Sequence, residues 1–466
     1  MEVLPSQGRK VHLISLGCAR NRVDSEVMLG SLMGNDWSIT ADADQADAVI
    51  INTCGFIEAA KQESVQTILD AAELKKQNPL MKLVVAGCLT QRYKKQLVEG
   101  LPEVDLFIGT DEFPQIADFL ETPLPKGTLR AKRTHYLYDG SLPKKNTLTS
   151  SSAYVKVAEG CQHSCAFCII PAIRGKLRSR PIANIVKEVE KLAQEGVKEI
   201  NLIAQDLAAY GRDWGSSDLL PLLKSLVDIS GIEWIRLLYV YPENISDEFI
   251  EFFAHHPKIV KYLDIPMQHA NDELLAKMNR GVTQAELRRI IGRLRESVPG
   301  IAIRTSVMVG FPSETEAQFE DLKTFVEDMR FEHLGCFTYS QEEGTVAGRM
   351  KDQIDEDVKQ RRQSEIMVIQ KDISKQHLLS FVGRTLPVLI KGLSEETELL
   401  AEGRLSIQAP EVDGVIYIND GDFKPGQIQL VRITDSYDYD LVGHVIEETE
   451  NEMSAERVES SEEVRL

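Results

Sequence analysis

Three cysteines lie within eight residues of one another, a third of the way along the chain. Cys161, Cys165 and Cys168 have the spacing C-x3-C-x2-C. Three thiolates held this closely can bind three irons of a cubane iron–sulfur cluster and leave the fourth iron without a protein ligand. An iron of that kind can bind a small molecule, whereas a cluster with four cysteine ligands mainly transfers electrons. The spacing therefore predicts a cluster that takes part in chemistry.

A structural zinc site is the main alternative for these cysteines. Zinc sites favour paired C-x2-C or mixed Cys/His ligands with a fourth partner. His163 lies between the first two cysteines, too close in sequence to complete a good tetrahedron. A disulfide knot is not expected, because Met1–Lys10 contains no apolar export signal. Cysteines without any ligand are the remaining alternative, and we favour the iron–sulfur cluster over all three.

Length and composition set the frame for the rest of the chain. The 466 residues are 43% hydrophobic, which is enough for about three domains with buried cores. No apolar run approaches the roughly 20 residues that span a bilayer, so we expect a cytoplasmic protein with no membrane contact. The net charge of −19 argues against a nucleic-acid partner and favours a basic partner, or high solubility alone.

The first segment, residues 1–121, alternates strand and helix patterns. This alternation predicts an α/β domain with a doubly wound parallel sheet. The predicted strands are 10–17, 46–53 and 81–87, and the predicted helices include 25–33 and 59–76.

Each of these three strands ends in a cysteine, namely Cys18, Cys54 and Cys88, at intervals of 36 and 34 residues. The carboxyl ends of parallel strands form the ligand crevice of an open α/β sheet, so the three thiols should converge there. The alternative is three buried cysteines that act as small apolar residues. That alternative explains one cysteine better than three at equivalent positions, and we therefore predict a second cluster.

Residues 122–152 are rich in Pro, Lys, Gly, Ser and Thr and are predicted to be a linker. Residues 153–380 contain six strand–helix units, which predict a parallel partial (β/α) barrel rather than a closed barrel of eight units. The three-cysteine loop follows the first of these strands, at the carboxyl end where barrel active sites lie. The predicted strands are 154–158, 199–204, 234–239, 262–265, 302–309 and 334–338.

Residues 381–446 differ in sequence pattern from the preceding domain, because short runs of strand-forming residues are separated by turns of Gly, Asp and Pro. This pattern predicts a small β-barrel, and the segment holds 5 basic and 11 acidic residues. Its predicted strands are 387–390, 414–418, 428–433 and 441–446. Residues 447–466 contain 8 Glu and 2 Arg with few apolar residues, so we expect an acidic disordered tail.

Several segments around the cysteines resemble the methylthiotransferase family of radical S-adenosylmethionine (SAM) enzymes. They are Ser15–Cys18, Ile51–Ile57, Ala86–Cys88 and Cys161–Cys168. The resemblance covers nearly the whole chain apart from the tail. It implies a cluster domain, a radical SAM domain and a C-terminal TRAM domain. It also implies SAM and two [4Fe-4S] clusters as cofactors, with the six cysteines above as the cluster ligands.

The family has two branches, one that modifies an adenosine in tRNA and one, the RimO type, that modifies an aspartate of small-subunit ribosomal protein S twelve. The second branch is the better match, on the segments Val23–Glu26, Cys168–Pro171, Ser179–Ile182, Gln205–Asp206, Tyr262–Ala270 and Ala409–Gly414. The acidic barrel agrees, because a TRAM domain that grips tRNA should be basic. A tRNA adenosine methylthiotransferase and a two-cluster electron-transfer or sulfur-carrier protein are the alternatives.

The resemblance also implies a division of labour. One SAM would supply a 5′-deoxyadenosyl radical, and another SAM would supply the methyl group. The cluster of Cys18, Cys54 and Cys88 would supply the sulfur. The product would be β-methylthio-aspartate. Electrons would come from a flavodoxin- or ferredoxin-like donor. No catalytic side chain beyond the two clusters is predicted.

Five residues are candidates for SAM binding by resemblance. Phe167 would contact adenine, Gln205 and Gln268 would supply polar contacts, and Val309 and Gly310 would contribute their backbone. The two glutamines could equally be satisfied loop residues, and Gly310 could serve only to turn the chain.

Other positions carry weaker signals. Ser164, Leu207 and Ser313 depart from the residues usual in the family, which affects details of SAM contact rather than the class of reaction. Tyr241 is equally compatible with a core and a site position. Cys336 lies within a predicted strand and is expected to be a buried apolar residue.

Overall fold

The computed structural model describes residues 8–132, 135–394 and 396–446. The acidic tail predicted to be disordered, residues 447–466, lies outside the described residues. Three structural units follow one another along the described chain: two with parallel sheets and helices, and a closed barrel of strands.

The first unit is a six-stranded parallel sheet in the order β2-β1-β3-β4-β5-β6. The last strand lies within the range predicted as a linker, so the sheet continues beyond residue 121. Its elements are β1 (Arg9–Ser15), α1 (Ala19–Met33), β2 (Trp37–Ile39), β3 (Ala48–Thr53), α2 (Glu58–Gln77), β4 (Lys82–Gly87), α3 (Cys88–Tyr93), α4 (Lys95–Gly100), β5 (Leu106–Ile108), α5 (Ile116–Glu121) and β6 (Thr128–Arg130).

Helices cover both faces of this sheet. All six residues of β3 are buried, as expected for a central parallel strand. Ile50 packs in a cluster with α1 and α5, while Val49 and Ile51 pack in a cluster with α2 on the other face. The doubly wound arrangement predicted from the sequence is confirmed.

The second unit is an open sheet of six parallel strands in the order β14-β13-β12-β11-β10-β7, which confirms the predicted partial barrel. A short ribbon of β8 and β9 lies beside it. The elements are β7 (Ser152–Lys156), β8 (Ala158–Glu159), α6 (Ile170–Arg174), β9 (Arg178–Ser179), α7 (Ile182–Gln194), β10 (Glu199–Ile203), α8 (Leu219–Val227), β11 (Trp234–Leu237), α9 (Asp247–His255), β12 (Ile259–Gln268), α10 (Asp272–Lys277), α11 (Gln284–Ser297), β13 (Ala302–Val309), α12 (Glu316–Met329), β14 (His333–Thr338) and α13 (Glu356–Leu379).

The third unit is a closed five-stranded barrel in the order β15-β16-β17-β19-β18, as predicted. Its strands are β15 (Thr385–Leu393), β16 (Ala401–Leu405), β17 (Ile416–Ile418), β18 (Ile428–Ser436) and β19 (Leu441–Val445). The barrel packs against the inner face of the second sheet, where Leu389 and Ala409 join a cluster with Trp234 and Tyr262.

A buried carboxylate links the barrel to the second sheet. Glu199, at the start of β10, pairs with Arg236 of β11 at 2.8 Å and with Arg404 of β16 at 2.5 Å. It also accepts a hydrogen bond from the hydroxyl of Ser152 at 2.7 Å. Burial alone would raise the pKa of Glu199, but the guanidinium groups of Arg404 and Arg236 lower it to about 2.

We predict that Glu199→Gln lowers the free energy of unfolding by about 3–5 kcal/mol, because it leaves two buried guanidinium groups uncompensated. Since the folded pKa lies below the ordinary 4.5, this stabilisation is complete above that value and lost as the pH falls towards 2. Urea unfolding at pH 7 and pH 3 measures both effects. Glu195→Gln, at an exposed position at the end of α7, is the matched control. Equal midpoints for the two variants at pH 7 would contradict the prediction.

Candidate functional site

The loop that carries Cys161, Cys165 and Cys168 lies beyond β8. The Cys161 N–H donates to the carbonyl of Gly175 at 3.1 Å, and the Cys168 N–H donates to the carbonyl of Cys165 at 3.0 Å. Gly160 precedes the loop with φ of 73°, and a Cβ there would lie 2.1 Å from the carbonyl oxygen of Lys176. The three thiols line one cavity of about 710 Å³.

Donors surround the sulfurs of this loop. The N–H groups of His163 and Ile170 each lie 3.4 Å from a cysteine Sγ, those of Cys161 and Cys168 respectively. The hydroxyl of Tyr241 lies 2.9 Å from Cys165 Sγ. Hydrogen bonds to sulfur stabilise the thiolates that ligate iron–sulfur clusters, so the donor set fits such a cluster.

The free thiols of this loop are protonated at neutral pH. Burial raises the pKa of Cys161 to about 11 and that of Cys168 to about 12. Iron binding must therefore displace their protons. Across residues 8–132, 135–394 and 396–446, no three His, Cys, Asp or Glu side chains are grouped to hold a single metal ion. A cubane cluster differs from such a site, because each of its irons takes one thiolate.

Four polar residues that the cysteine spacing does not reveal support the loop. Asp206 Oδ2 lies 2.7 Å from His163 Nε2, and Asp206 Oδ1 accepts from the Tyr241 N–H at 3.3 Å. The rings of His163 and Tyr241 stack with centroids 4.0 Å apart, and the Arg280 guanidinium lies 3.8 Å from the Tyr241 centroid. The sequence left open whether Tyr241 lies in the core or at the site, and the structure places it at the site. Asp206 was noted only as part of a family segment.

The other three cysteines lie at the ends of adjacent strands. Cys18 follows β1, Cys54 follows β3 and Cys88 follows β4, and these strands are neighbours in the first sheet. Gly17 has φ of 88°, and a Cβ there would lie 2.9 Å from Cys54 Cβ. Burial and the nearby Cys88 raise the pKa of Cys54 to about 12. The structure thus brings these cysteines to one edge of the sheet.

Arg174 joins the two groups of cysteines. It ends α6, the helix that directly follows the Cys161–Cys168 loop. Its Nη2 lies 3.3 Å from Cys88 Sγ and 3.0 Å from Asn21 Oδ1, and its Nη1 lies 2.6 Å from Asp24 Oδ2. A residue next to one cysteine loop therefore donates to a sulfur of the other group.

Arg20 lies between the same two groups. Its Nη1 donates to the carbonyl of Ala204 at 2.9 Å, and its guanidinium lies 4.5 Å from the ring centroid of Tyr239. Burial alone would raise the pKa of Cys18, but the charge of Arg20 contributes to lowering it below its ordinary value. The same charge also acts to lower the pKa of Cys161 in the other group.

The candidate SAM-binding residues differ in whether their hydrogen-bonding groups are free to contact a ligand. Gln205 Oε1 is buried without a hydrogen-bond partner among the described residues, and Gln268 ends β12 with φ of 75°. Phe167 is partly buried in an apolar cluster beside the loop. By contrast, the carbonyl of Val309 accepts from the Tyr339 N–H, and the N–H of Gly310 donates to Glu314. Cys336, which was not a candidate ligand, is buried in β14 as expected, with 5% of its surface exposed.

Comparisons with known proteins agree with these three units. Residues 10–109 match the uncharacterised protein family UPF0004, residues 155–326 match the radical SAM superfamily, and residues 382–446 match the TRAM domain. The ribosomal protein uS12 methylthiotransferase RimO of Bdellovibrio bacteriovorus is 48% identical over 95% of this chain and 99% of that protein. The same enzyme from an Anaeromyxobacter species is 49% identical over 94% of this chain and 93% of that protein.

The chain belongs to the RimO family of methylthiotransferases. This confirms the resemblance seen in the cysteine segments. The RimO family and the radical SAM domain make the chain an enzyme that transfers sulfur-containing groups, and they indicate a [4Fe-4S] cluster and SAM as its cofactors.

Solved structures show a related fold at low identity. The radical SAM methyltransferase TsrM from Kitasatospora setae, solved with cobalamin and a [4Fe-4S] cluster, is 15% identical with a TM-score of 0.52, over 73% of this chain and 74% of that chain. The cobalamin-dependent radical SAM enzyme OxsB has a TM-score of 0.50 and 12% identity, over 78% of this chain and 56% of that chain. Among the described residues, no helix is long and apolar enough to cross a bilayer.

We predict that Asp206→Asn lowers iron retention and slows SAM cleavage by about ten-fold or more, because it weakens the hydrogen bonds that orient His163 and Tyr241 beside the cysteines. Iron content and 5′-deoxyadenosine formation after anaerobic reconstitution measure the two effects. Asp228→Asn, at an exposed position after α8, is the control. Iron content and rate equal to those of the control would show that Asp206 does not support the loop.

Proposed function

We propose that this chain is a radical SAM enzyme that adds a methylthio group to the β-carbon of an aspartate in ribosomal protein uS12. The observation that carries the proposal is the contact of Arg174 with Cys88, which brings two groups of three cysteines to one interface. One group suits radical formation and the other suits sulfur supply. The relatives that are nearly half identical over almost the full chain support uS12 as the substrate.

Two [4Fe-4S] clusters are part of the proposal. Cys161, Cys165 and Cys168 would hold the cluster that binds SAM, and the other three cysteines would hold the cluster that carries sulfur. When bound, these groups supply a radical that removes hydrogen from a methylene, which no side-chain base can deprotonate at neutral pH. The chain itself would supply the ligands and orient both cofactors.

SAM binding would use the residues around the first loop. Phe167 would contact the adenine, and Gln205 and Gln268 would contact polar groups of SAM. Val309 and Gly310 would contribute through their carbonyl oxygens, since the N–H of Gly310 already donates to Glu314. Arg280 would bind the carboxylate of SAM. Burial lowers the pKa of Arg280 to about 10, although the charge of Cys165 acts in the opposite direction.

The remaining parts of the proposal concern organisation and partners. The cluster domain would span residues 1–121, with β6 added to its sheet by a segment of the linker 122–152. The radical SAM domain would span 153–380 and the TRAM domain 381–446. We propose a cytoplasmic enzyme that takes electrons from a flavodoxin- or ferredoxin-like donor. The acidic TRAM segment, with 5 basic and 11 acidic residues, suits a basic protein better than tRNA.

The two groups of cysteines should be separable by substitution. We predict that Cys165→Ala abolishes SAM cleavage, because it removes a ligand of the SAM-binding cluster. Cys54→Ala should retain SAM cleavage and lose sulfur insertion. Formation of 5′-deoxyadenosine and methylthiolation of uS12 are the two assays, and Cys336→Ala is the control because that cysteine lies apart in β14. Loss of SAM cleavage in Cys54→Ala would contradict the division of labour.

Mass spectrometry of a deletion strain tests the substrate directly. We predict that uS12 loses its methylthio group while the modified adenosines of tRNA remain. Loss from tRNA alone would make the enzyme a tRNA methylthiotransferase, and salt-sensitive binding of tRNA would accompany that result. If neither uS12 nor tRNA changed, the proposed substrate would be wrong.

A further inference from the structure

Arginines in and around the core of this chain fall into two groups. Arg174, Arg180 and Arg236 each pair with a carboxylate, at 2.6 Å, 2.7 Å and 2.8 Å. Arg20 and Arg280 have no carboxylate partner among residues 8–132, 135–394 and 396–446. The charges of Cys18 and Cys165 act on Arg20 and Arg280 respectively. A guanidinium without a carboxylate partner keeps N–H donors with which an entering carboxylate can pair.

Two carboxylates must enter the proposed site. SAM carries one, and Arg280, with its Nη1 4.0 Å from Cys165 Sγ, lies on the side of the SAM-binding loop. The side chain of a substrate aspartate carries the other. Arg20 lies on the side of Cys18, where the sulfur donor of the proposed reaction would be held. The two unpaired arginines thus correspond in number and position to the two carboxylates.

The surroundings of Arg20 hold it in place and leave donors free. Its bond to the carbonyl of Ala204 and its contact with Cys18 use two of the five N–H donors of a guanidinium. The ring of Tyr239 packs against it, and Tyr239 has φ of 61°, an uncommon conformation for a bulky residue. Asp264 accepts from the Tyr239 N–H at 3.1 Å, which secures that conformation.

The start of α1 adds to the positive field at Arg20. Cys18 is the N-cap of this helix, without a side-chain cap bond, and the first turn contains no acidic residue. Cys18 is the group of this chain whose charge acts most on Arg20, and the positive end of the helix dipole adds to the positive field of the guanidinium. A carboxylate that binds there would be attracted by both.

We propose that Arg20 binds the side-chain carboxylate of the substrate aspartate and thereby selects an acidic residue as the target. The inference rests on the proposed function of the site. A planar guanidinium can hold a carboxylate through two parallel hydrogen bonds, which fixes the direction of the neighbouring methylene. That methylene is the β-carbon at which the methylthio group is added, so Arg20 would be a specificity-determining residue placed between the two groups of cysteines.

The test compares binding of two substrates to the reconstituted enzyme. One is uS12 and the other is uS12 with asparagine at the target aspartate. We expect the wild-type enzyme to bind the aspartate form at least about ten-fold more tightly, since charge-assisted hydrogen bonds are lost with asparagine. Arg20→Gln should bind both forms equally. Arg20→Lys should restore part of the preference, because it keeps the charge without the planar fork.

Two controls separate this role from a structural one. Because Arg20 also contacts Cys18, iron content and cluster absorption are measured for every variant, and binding is compared per cluster-loaded enzyme. Arg22→Gln lies two residues further along α1, where Arg22 already pairs with Glu411, and it should keep the wild-type preference.

The outcomes distinguish the inference from the proposed function. Equal preference for aspartate in the wild type and in Arg20→Gln would overturn the role of Arg20 alone. The same conclusion would follow if the wild type bound uS12 but did not distinguish the two forms. If the wild type neither bound nor modified uS12, the proposed function would fall and this inference with it.

Discussion

The interface between the two parallel sheets depends on a buried group of four charges. Asp24 of α1 pairs with Arg174 and with Lys156 of β7, and both cations also pair with Glu159. All four side chains are at most 5% exposed. Burial would raise the pKa of Glu159, but Lys156 and Arg174 lower it to about 2. Removal of any one member would leave the group with one uncompensated buried charge, at a cost of about 3–5 kcal/mol. The two cysteine groups are therefore held facing one another by electrostatics rather than by a flexible joint.

The barrel is positioned by a second buried carboxylate. Asp413 accepts from the Tyr262 hydroxyl at 2.7 Å and from the Ala409 N–H at 2.8 Å, and it pairs with Arg304 at 3.3 Å. Burial would raise its pKa, yet the charges of His333 and Arg304 lower it. The segment Ala409–Gly414 was noted in the sequence as a family resemblance. Its contacts show that it fixes the barrel on the inner face of the second sheet. The segment that marks the family therefore also has a structural role.

Much of the fold follows from local signals in the sequence. Helices α11 and α12 begin after Thr283 and Thr315, which form capping boxes with Glu286 and Gln318, and this pattern is visible in the sequence. Strand β16 was not predicted, because its Glu402 and Arg404 resemble surface residues. Both are buried: Glu402 binds Ser394, and Arg404 binds Glu199.

The candidate site also has one part that local sequence patterns indicate and another part that only the folded chain assembles. Cysteine spacing and strand ends are local patterns, and all six candidate cysteines were chosen from them. Asp206, Arg280, Arg20 and Arg174 act on those cysteines from separate elements, and only the folded chain brings them together.

Arg174 has a consequence for how such enzymes can be recombined. It lies six residues after Cys168, on the same continuous segment, yet three of its partners, Asn21, Asp24 and Cys88, belong to helices of the first unit. The covalent boundary between the two units is therefore not the boundary between their sites. A chimera that joins the first unit of one relative to the barrel of another must preserve this arginine with its three partners. In this protein, the smallest part that can be exchanged with a relative is the two cysteine groups together.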